Sequence, residues 1–184
     1  RVGILPKVIG VSKAWEDQNN HDNMRPESIT LTLVRKLPGE SFREVTDANG
    51  DPIRLTLDES NSWTGWLEQI DVVNEDGECY IYSFREDEVP GYTYAITQPD
   101  ENRYLVTNTH PNEQVTIRGV KQWNDSNNAY NARPESIQLT LLRDGEQLSG
   151  LTVYPAADGT WNYSFGSLDK YAPGGVPYEY TIKE

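Results

Sequence analysis

Sulfur is nearly absent from this chain of 184 residues, which contains one cysteine, Cys79, and one methionine. A single cysteine cannot form a disulfide within the chain, and the sequence has no Cys/His cluster with the spacing of a zinc site. We expect Cys79 to be a half-buried structural thiol on a strand. Sulfur is thereby excluded as a source of stability, and the sequence predicts neither a metal site nor a cofactor.

Basic residues are also scarce, because 16 Lys and Arg stand against 29 Asp and Glu, giving a formal net charge of −13. A nucleic-acid partner would require clustered Lys and Arg, so we expect none. The sequence has no apolar run of about 18 residues and no signal-peptide pattern at its N-terminus. We therefore predict no insertion of this fragment into a membrane.

Aromatic residues are plentiful, with five Trp and eleven Tyr. Together with frequent Thr, Val and Ile they favour strands, and we expect almost no helix. Short alternating segments separated by Gly, Pro, Asn and Asp predict about seven strands in a unit, which is typical of a β-sandwich. The segment SITLTLVR, residues 28–35, is one of them, and its alternation predicts a strand with one buried face.

One stretch occurs twice: VIGVSKAWEDQNN at residues 8–20 returns as VTIRGVKQWNDSNN at residues 115–128, and RPESI follows both copies. Such a repeat predicts two tandem domains. Further on, Trp63 corresponds to Trp161, and on that spacing the counterpart of YLVTNT would lie beyond Glu184. We place a leader at 1–7, the first domain at 8–109, a short linker at 110–114 and the second domain at 115–184.

The repeat sets a lysine two residues before a tryptophan, Lys13 before Trp15 and Lys121 before Trp123. Residues two apart on a strand point to the same side, so each lysine is aimed at the core if its tryptophan is buried. The alternative is that the lysine stem packs on the tryptophan while the ammonium group reaches water. The spacing alone leaves both interpretations open.

The loop EDQNNHDN, residues 16–23, contains Asp17, Asn19 and Asp22, which are oxygen ligands of the kind calcium prefers. It lacks the glycine and the final glutamate of an EF-hand loop, so we expect no calcium there. His21 and His110 have no companion ligand at a suitable spacing. We expect both to be solvated loop residues.

The ordered series of K-x-W, an acidic Asn-rich loop, RPESI, a tryptophan-containing strand, Y-x-Y-x-h-x-E, VPGYT and VTNT resembles the collagen-adhesin B-type (CnaB) domain of Gram-positive surface proteins. The resemblance covers residues 8–109 completely and 115–184 as far as the sequence runs. It implies an all-β chain of two tandem inverse immunoglobulin-like (prealbumin-like) β-sandwich domains, the second lacking its C-terminal strand or strands.

The resemblance also implies an intramolecular isopeptide bond between Lys13 and Asn108, with Glu86 as the catalytic acid. In the second domain Lys121 and Glu184 match the lysine and the acid, and no residue matches the asparagine, so we expect Lys121 to remain a free amine. Burial favours a neutral lysine and a neutral carboxyl group, which are the forms that this chemistry needs. Glu86 would then donate a hydrogen bond to the carbonyl group of Asn108 and pass protons as ammonia leaves. Aromatic residues would provide the low-polarity setting, namely Trp15, Tyr82 and Phe84. Without the resemblance, Glu86 would be read as an exposed acid and Asn108 as a turn residue.

The function implied is that of a structural stalk or spacer in a cell-wall-anchored, extracellular adhesin or pilin-like protein. Its partners would be neighbouring repeat domains of the same surface protein, and a host extracellular protein or glycan is a further expected partner class. The chain is not expected to be an enzyme beyond forming one bond in itself. The alternative is a ligand-binding adhesin module that contacts a host protein or glycan through aromatic-rich surface or loops.

Overall fold

The computed structural model describes residues 4–184, so the first three residues of the expected leader lie outside the described residues. The chain divides into two compact units, unit 1 (Arg1–Pro111) and unit 2 (Asn112–Glu184). Their regular secondary structure is almost entirely strand, as the composition predicts. Within residues 4–184 the structure contains no helix with the length and hydropathy needed to cross a bilayer.

The described part of unit 1 contains eight strands and one short 3-10 helix, Glu59–Asn61, which Asp58 caps. The strands are β1 (Lys7–Glu16), β2 (Ser28–Lys36), β3 (Arg43–Glu44), β4 (Arg54–Asp58), β5 (Thr64–Ile70), β6 (Ile81–Glu86), β7 (Thr93–Asp100) and β8 (Arg103–Thr109).

The strands of unit 1 form two sheets. One sheet has the order β5-β1-β8-β7, and in the other β2 pairs with β3, β4 and β6. All pairs are antiparallel except β1 with β8, the first and last strands of the unit, which run parallel. Their register sets Lys13 beside Val106 and Trp15 beside Asn108.

The core of unit 1 lies between these sheets, because its buried side chains come from both. Alternation along each strand decides which residues point inward, as period-two patterning requires. The first sheet contributes Ile9, Val11, Tyr104 and Val106, and the second contributes Ile29, Leu31, Leu33, Leu57, Tyr82 and Phe84.

Two expectations about unit 1 are wrong. The middle of β2 is buried on both faces rather than one, since Thr32 and Val34 are buried as well as the residues that alternate with them. β2 has partner strands along both of its edges, so it is shielded more than a strand at the edge of a sheet. Cys79 is exposed, and it precedes β6 in an isolated bridge to Val73 rather than lying within the strand.

Unit 2 contains β9 (Gln114–Val120), β10 (Ile137–Arg143), β11 (Glu146–Val153), β12 (Asn162–Asp169) and β13 (Tyr180–Lys183). β10 pairs with β11 and β13, and β9 pairs with β12. Asp144 and Gly145, both with positive φ, join β10 to β11 in the tight turn that hairpins favour. The core consists of Ile137, Leu139, Leu141, Val153, Trp161 and Phe165.

The lysine of the second repeat is not on a strand, contrary to expectation. β9 ends at Val120, where its last pair with β12 joins Val120 to Asn162, and Lys121 and Trp123 follow outside the ladder. In unit 1 the pairing of β1 with β5 likewise ends at Ser12, but β8 continues to pair with β1 as far as Glu16. In the described part of unit 2 no strand corresponds to β8, so nothing extends β9 in the same way.

Candidate functional site

Lys13 is the centre of the candidate site, and its side chain is completely buried at 0% exposure. The parallel pairing of β1 with β8 directs it to the same side as Asn108. The Nζ atom of Lys13 contacts Oδ1 of Asn108 and lies 3.3 Å from the backbone oxygens of Ala14 and Val106. The structure therefore supports the inward-pointing interpretation of Lys13 over the solvent-reaching one.

Asn108 and Glu86 complete the group, which the topology assembles from three strands. Asn108 on β8 is 0% exposed. Glu86 ends β6, where it shares the buried face with Tyr82 and Phe84, and its Oε2 atom lies 3.6 Å from Nζ of Lys13. Glu86 is therefore not an exposed acid, and Asn108 is not a turn residue.

The hydrogen bond between these two residues has the opposite direction to the one expected. Nδ2 of Asn108 donates to Oε1 of Glu86 at 2.6 Å, whereas we expected Glu86 to donate to the carbonyl group of Asn108. The reason is that the carbonyl oxygen of Asn108 faces Lys13. Among residues 4–184, Oε2 of Glu86 is buried without a hydrogen-bond partner.

Burial shifts the pKa values of the lysine and the glutamate toward their neutral forms. Desolvation lowers the pKa of Lys13 from 10.5 to about 8, although the nearby Glu86 acts to raise it. Desolvation raises the pKa of Glu86 above 4.5, against the hydrogen bond from Asn108 and the charge of Lys13. Since both shifts favour uncharged groups, the site is suited to a neutral amine beside a protonated carboxyl group.

Aromatic rings enclose the lysine, as expected for Trp15, whose ring centroid lies 4.3 Å from Nζ of Lys13. Trp63 and Tyr92 each contact Trp15 edge-on with centroids 5.3 Å apart. Neither Trp63 nor Tyr92 was singled out from the sequence as a site residue. Tyr92 lies in the VPGYT motif, which was the one available signal. Tyr82 and Phe84 are core residues on the face of β6 that also presents Glu86.

Asp17 is a buried residue of this region, although the loop pattern indicates only an oxygen ligand of the kind calcium prefers. Its carboxylate accepts hydrogen bonds from Nε and Nη2 of Arg25 at 3.0 and 2.7 Å, from the hydroxyl of Tyr92 at 2.7 Å and from the backbone N–H of Asn20 at 3.0 Å. Both carboxylate oxygens are thus engaged by donors within the protein. The two hydrogen bonds between Arg25 and Asp17 close the loop, and we call this ion pair the clamp.

The backbone of this loop explains its Asn-rich composition. Gln18, Asn19 and Asn20 follow one another with φ between 52° and 57°, and Ser126, Asn127 and Asn128 do the same in unit 2 at 56° to 60°. Positive φ is costly for most side chains, and Asn tolerates it better than the others. The sequence NN in both repeats therefore follows from this turn.

His110 also differs from expectation, because it is not a solvated loop residue. Its side chain is 16% exposed, with Nδ1 2.7 Å from the backbone oxygen of Gly91 and Nε2 3.0 Å from a carboxylate oxygen of Asp22. The ring also lies 5.3 Å from that of Tyr92. His110 thus connects the end of β8 to the loop and to the turn before β7.

The equivalent position in unit 2 is more open. The side chain of Lys121 is 25% exposed and that of Glu184 is 49% exposed, and their charged atoms lie 2.6 Å apart. Lys121 lies over Trp123, which contacts Trp161 with centroids 5.3 Å apart. The lysine, acid and aromatic residues of the motif are therefore together, but here the lysine is in an exposed ion pair.

Comparison with known proteins gives matches along most of the chain. Residues 9–109 and 117–184 match the family model for the Cna protein B-type domain. A collagen adhesin of Staphylococcus aureus is 33% identical over 175 residues, covering 95% of this chain and 14% of that protein. The crystal structure of two B repeat units of the collagen binding protein of Staphylococcus aureus is 30% identical, with a TM-score of 0.56, over 95% of this chain and 43% of that one.

Proposed function

The chain belongs to the Cna protein B-type domain family, and we propose that it is a structural spacer of a bacterial cell-surface adhesin or pilin-like protein. The support is the repetition of one all-β unit and the similarity of both repeats to B repeat units of a surface adhesin. Such a role calls for mechanical and thermal stability rather than turnover. Its partners would be neighbouring repeat domains, on the outer surface of a cell wall.

We further propose that unit 1 forms an isopeptide bond between Lys13 and Asn108. The neutral Nζ of Lys13 attacks Cγ of Asn108, a new C–N bond forms, the bond from Cγ to Nδ2 breaks, and Nδ2 leaves as ammonia. No oxidant or cofactor enters this balance. The observation that carries the proposal is the enclosure of Lys13 Nζ, Asn108 and Glu86 in one buried group, which replaces a bimolecular encounter by proximity.

Glu86 is placed to move the proton that this reaction requires. One of its oxygens lies 2.6 Å from Nδ2 of Asn108, the leaving nitrogen, and the other lies 3.6 Å from Nζ of Lys13, the nucleophile. A protonated carboxyl group that bridges both nitrogens can deliver its proton to Nδ2 as the bond to Cγ breaks and take one from Nζ, so that Nδ2 leaves as ammonia. Glu86 then acts on the leaving group rather than on the carbonyl oxygen.

The positions of the two residues suit a load-bearing role. Lys13 and Asn108 lie on the first and last strands of unit 1, which pair in parallel. A covalent bond between them would carry a pulling force from one strand to the other and leave the intervening strands unloaded. The bond would act as a disulfide does in small extracellular domains, in a chain whose single cysteine cannot form one internally.

The test is the intact mass of the purified protein, which should be lower than the sequence mass by one ammonia. Lys13→Ala and Asn108→Ala should each restore the full mass, while Lys121→Ala should keep the deficit. Because Asn49 and Gly50 form an Asn-Gly pair that can also lose ammonia, the branched peptide joining Lys13 to Asn108 must be identified after proteolysis. A wild-type protein of full mass would contradict the crosslink and leave the spacer role standing.

A second candidate function, binding of a host protein or glycan, has one observation in its favour. Trp66 is 54% exposed and lies across Gly10, where a Cβ atom would come within 2.6 Å of its ring. Trp15, Trp63, Trp123 and Trp161, in contrast, pack against the two cores. A glycan and matrix-protein binding screen comparing the wild type with Trp66→Ala distinguishes the two functions, since a spacer gives no signal in either.

A further inference from the structure

The clamp of unit 1 reaches the candidate site through Tyr92. The hydroxyl of Tyr92 donates to Asp17, and its ring contacts that of Trp15, with centroids 5.3 Å apart. Arg25, the other partner of Asp17, has its guanidinium carbon 5.1 Å from the centre of the Trp15 ring. Asp17 therefore holds two side chains that both touch Trp15.

Trp15 in turn contacts the reactive amine. Nζ of Lys13 lies 4.3 Å from the centre of the Trp15 ring, and Trp15 pairs with Asn108 in the ladder of β1 and β8. A displacement of Trp15 would therefore move the ring that lies against Lys13 and the strand position beside Asn108. Misplacement of reacting groups by about 1 Å can slow a reaction on the order of a hundredfold.

We propose that Asp17, Arg25 and Tyr92 are positioning residues for the crosslink, which hold Trp15 against Lys13 and close this end of the site to water. This inference rests on the proposed isopeptide bond and extends it to residues outside the lysine, asparagine and glutamate. The three residues touch neither bond that changes, and they act through Trp15.

Unit 2 shows which part of the network is particular to unit 1. Arg133 binds Asp125 through Nε and Nη2 at 2.6 and 2.7 Å, and its guanidinium carbon lies 5.5 Å from the centre of the Trp123 ring. The clamp itself is thus common to both units. The Asp125 side chain is 30% exposed, whereas that of Asp17 is 1% exposed and also accepts the hydrogen bond from Tyr92. Tyr92 is what distinguishes the clamp at the candidate crosslink.

The charges of the network also act on Lys13. Three charged groups affect its amine: Glu86 and Asp17 favour the protonated form, and Arg25 opposes it. Asp17 is itself held ionised, because hydrogen bonds from Arg25 and Tyr92 lower its pKa despite its burial. Removing the charge of Arg25 should therefore strengthen proton binding by Lys13, whereas removing only the hydroxyl of Tyr92 should not act on it directly.

The experiment follows crosslinking in time. The full chain is made by cell-free synthesis, transferred to buffers from pH 5.5 to 10, which span Lys13's pKa of about 8, quenched in denaturant at intervals and scored by intact mass and by the branched peptide. Wild type is compared with Arg25→Gln and Tyr92→Phe, and Arg133→Gln is the matched control from unit 2. Each substitution is also made with Asn108→Ala, and circular dichroism and melting establish that the uncrosslinked unit folds.

We expect a bell-shaped dependence of rate on pH, because the reactive pair holds one proton between Lys13 and Glu86. Arg25→Gln should slow crosslinking by on the order of tenfold and move the alkaline limb to higher pH. Tyr92→Phe should slow it by a few-fold, as about one hydrogen bond is lost, and leave the limb in place. Arg133→Gln should match the wild type.

Rates fully retained in Arg25→Gln, an unshifted limb, or equal slowing by Arg133→Gln would each overturn the positioning role. A slow variant whose Asn108→Ala form is unfolded would do so too, since the effect would then be loss of the fold. A wild-type chain without the branched peptide would overturn the proposed crosslink and this inference with it. A crosslinked wild type beside an unaffected Arg25→Gln would overturn the inference alone.

Discussion

Units 1 and 2 carry the same lysine–tryptophan motif but give the lysine different surroundings. The side chain of Lys13 is 0% exposed and adjoins a buried glutamate, whereas that of Lys121 is 25% exposed and pairs with a half-exposed one. Both units contain the ion pair between aspartate and arginine and the tryptophan pair after the motif. The main difference beside the lysine is β8, which lies along β1 and has no counterpart in the described part of unit 2.

The motif therefore does not bury its own lysine. β8 extends β1 past Ser12, places Val106 beside Lys13 and supplies Asn108. β8 therefore keeps the motif in a strand, covers part of Lys13 and supplies the residue with which Lys13 would react. The lowered pKa of Lys13 is a consequence of that cover, since desolvation is its largest cause.

The largest expected effect comes from removing the acid in each unit. Glu86→Gln should prevent the crosslink and lower the free energy of unfolding of unit 1 by about 4 to 5 kcal/mol, by analogy with a disulfide closing a loop of about 100 residues. Glu184→Gln removes only an exposed ion pair and should leave the free energy of unfolding of unit 2 unchanged. Guanidinium unfolding and intact mass measure both effects, and a crosslinked Glu86→Gln protein would contradict the proposed role of Glu86.

The next effect concerns the two clamps, compared without the crosslink in a Glu86→Gln background. Asp17→Ala should destabilise unit 1 by about 3 kcal/mol, because it leaves Arg25 and the Tyr92 hydroxyl without their buried partner. Asp125→Ala should have a smaller effect on unit 2, since its carboxylate is partly solvated. Equal losses, read from thermal unfolding of each unit, would show that burial of the clamp makes no difference.

The last expected effect is a pH dependence particular to a buried lysine. Desolvation lowers the pKa of folded Lys13 from 10.5 to about 8, and Glu86→Gln removes a charge that acts against this shift. Between these values the unfolded chain binds more protons, so stability should rise as pH goes from about 8 to 10.5. Adding Lys13→Met should abolish the rise. If the free energy of unfolding of the two variants changed with pH in the same way across this range, Lys13 would be solvated.

Much of the fold could be predicted because strand patterning is local. The alternation of SITLTLVR and the turn residues around it located β2 to within a residue, Ser28–Lys36. The class, two β-sandwich units of one family, is confirmed. The burial of Thr32 and the exposure of Cys79 could not be read from alternation, because they depend on which strands flank β2 and on where the ladder of β6 begins.

The candidate site divides in the same way. Lys13, Glu86 and Asn108 were named from motifs, and the structure brings their side chains together. The direction of the hydrogen bond between Asn108 and Glu86 was wrong, since it depends on which amide atom faces Lys13. The sequence does not indicate that Tyr92 and Asp17 are partners, because 75 residues separate them and they meet only in the folded chain.

The amino-acid sequence alone establishes that this protein is a repeat of strand-rich units, that each unit sets a lysine two residues before a tryptophan, and that no disulfide can form within the chain. These properties follow from composition, periodicity and residue count. The tertiary contacts establish which lysine is shielded from water. Burial is a property of neighbours, and the neighbour that covers Lys13 is a strand about 95 residues away along the chain, whereas none in the described part of unit 2 covers Lys121.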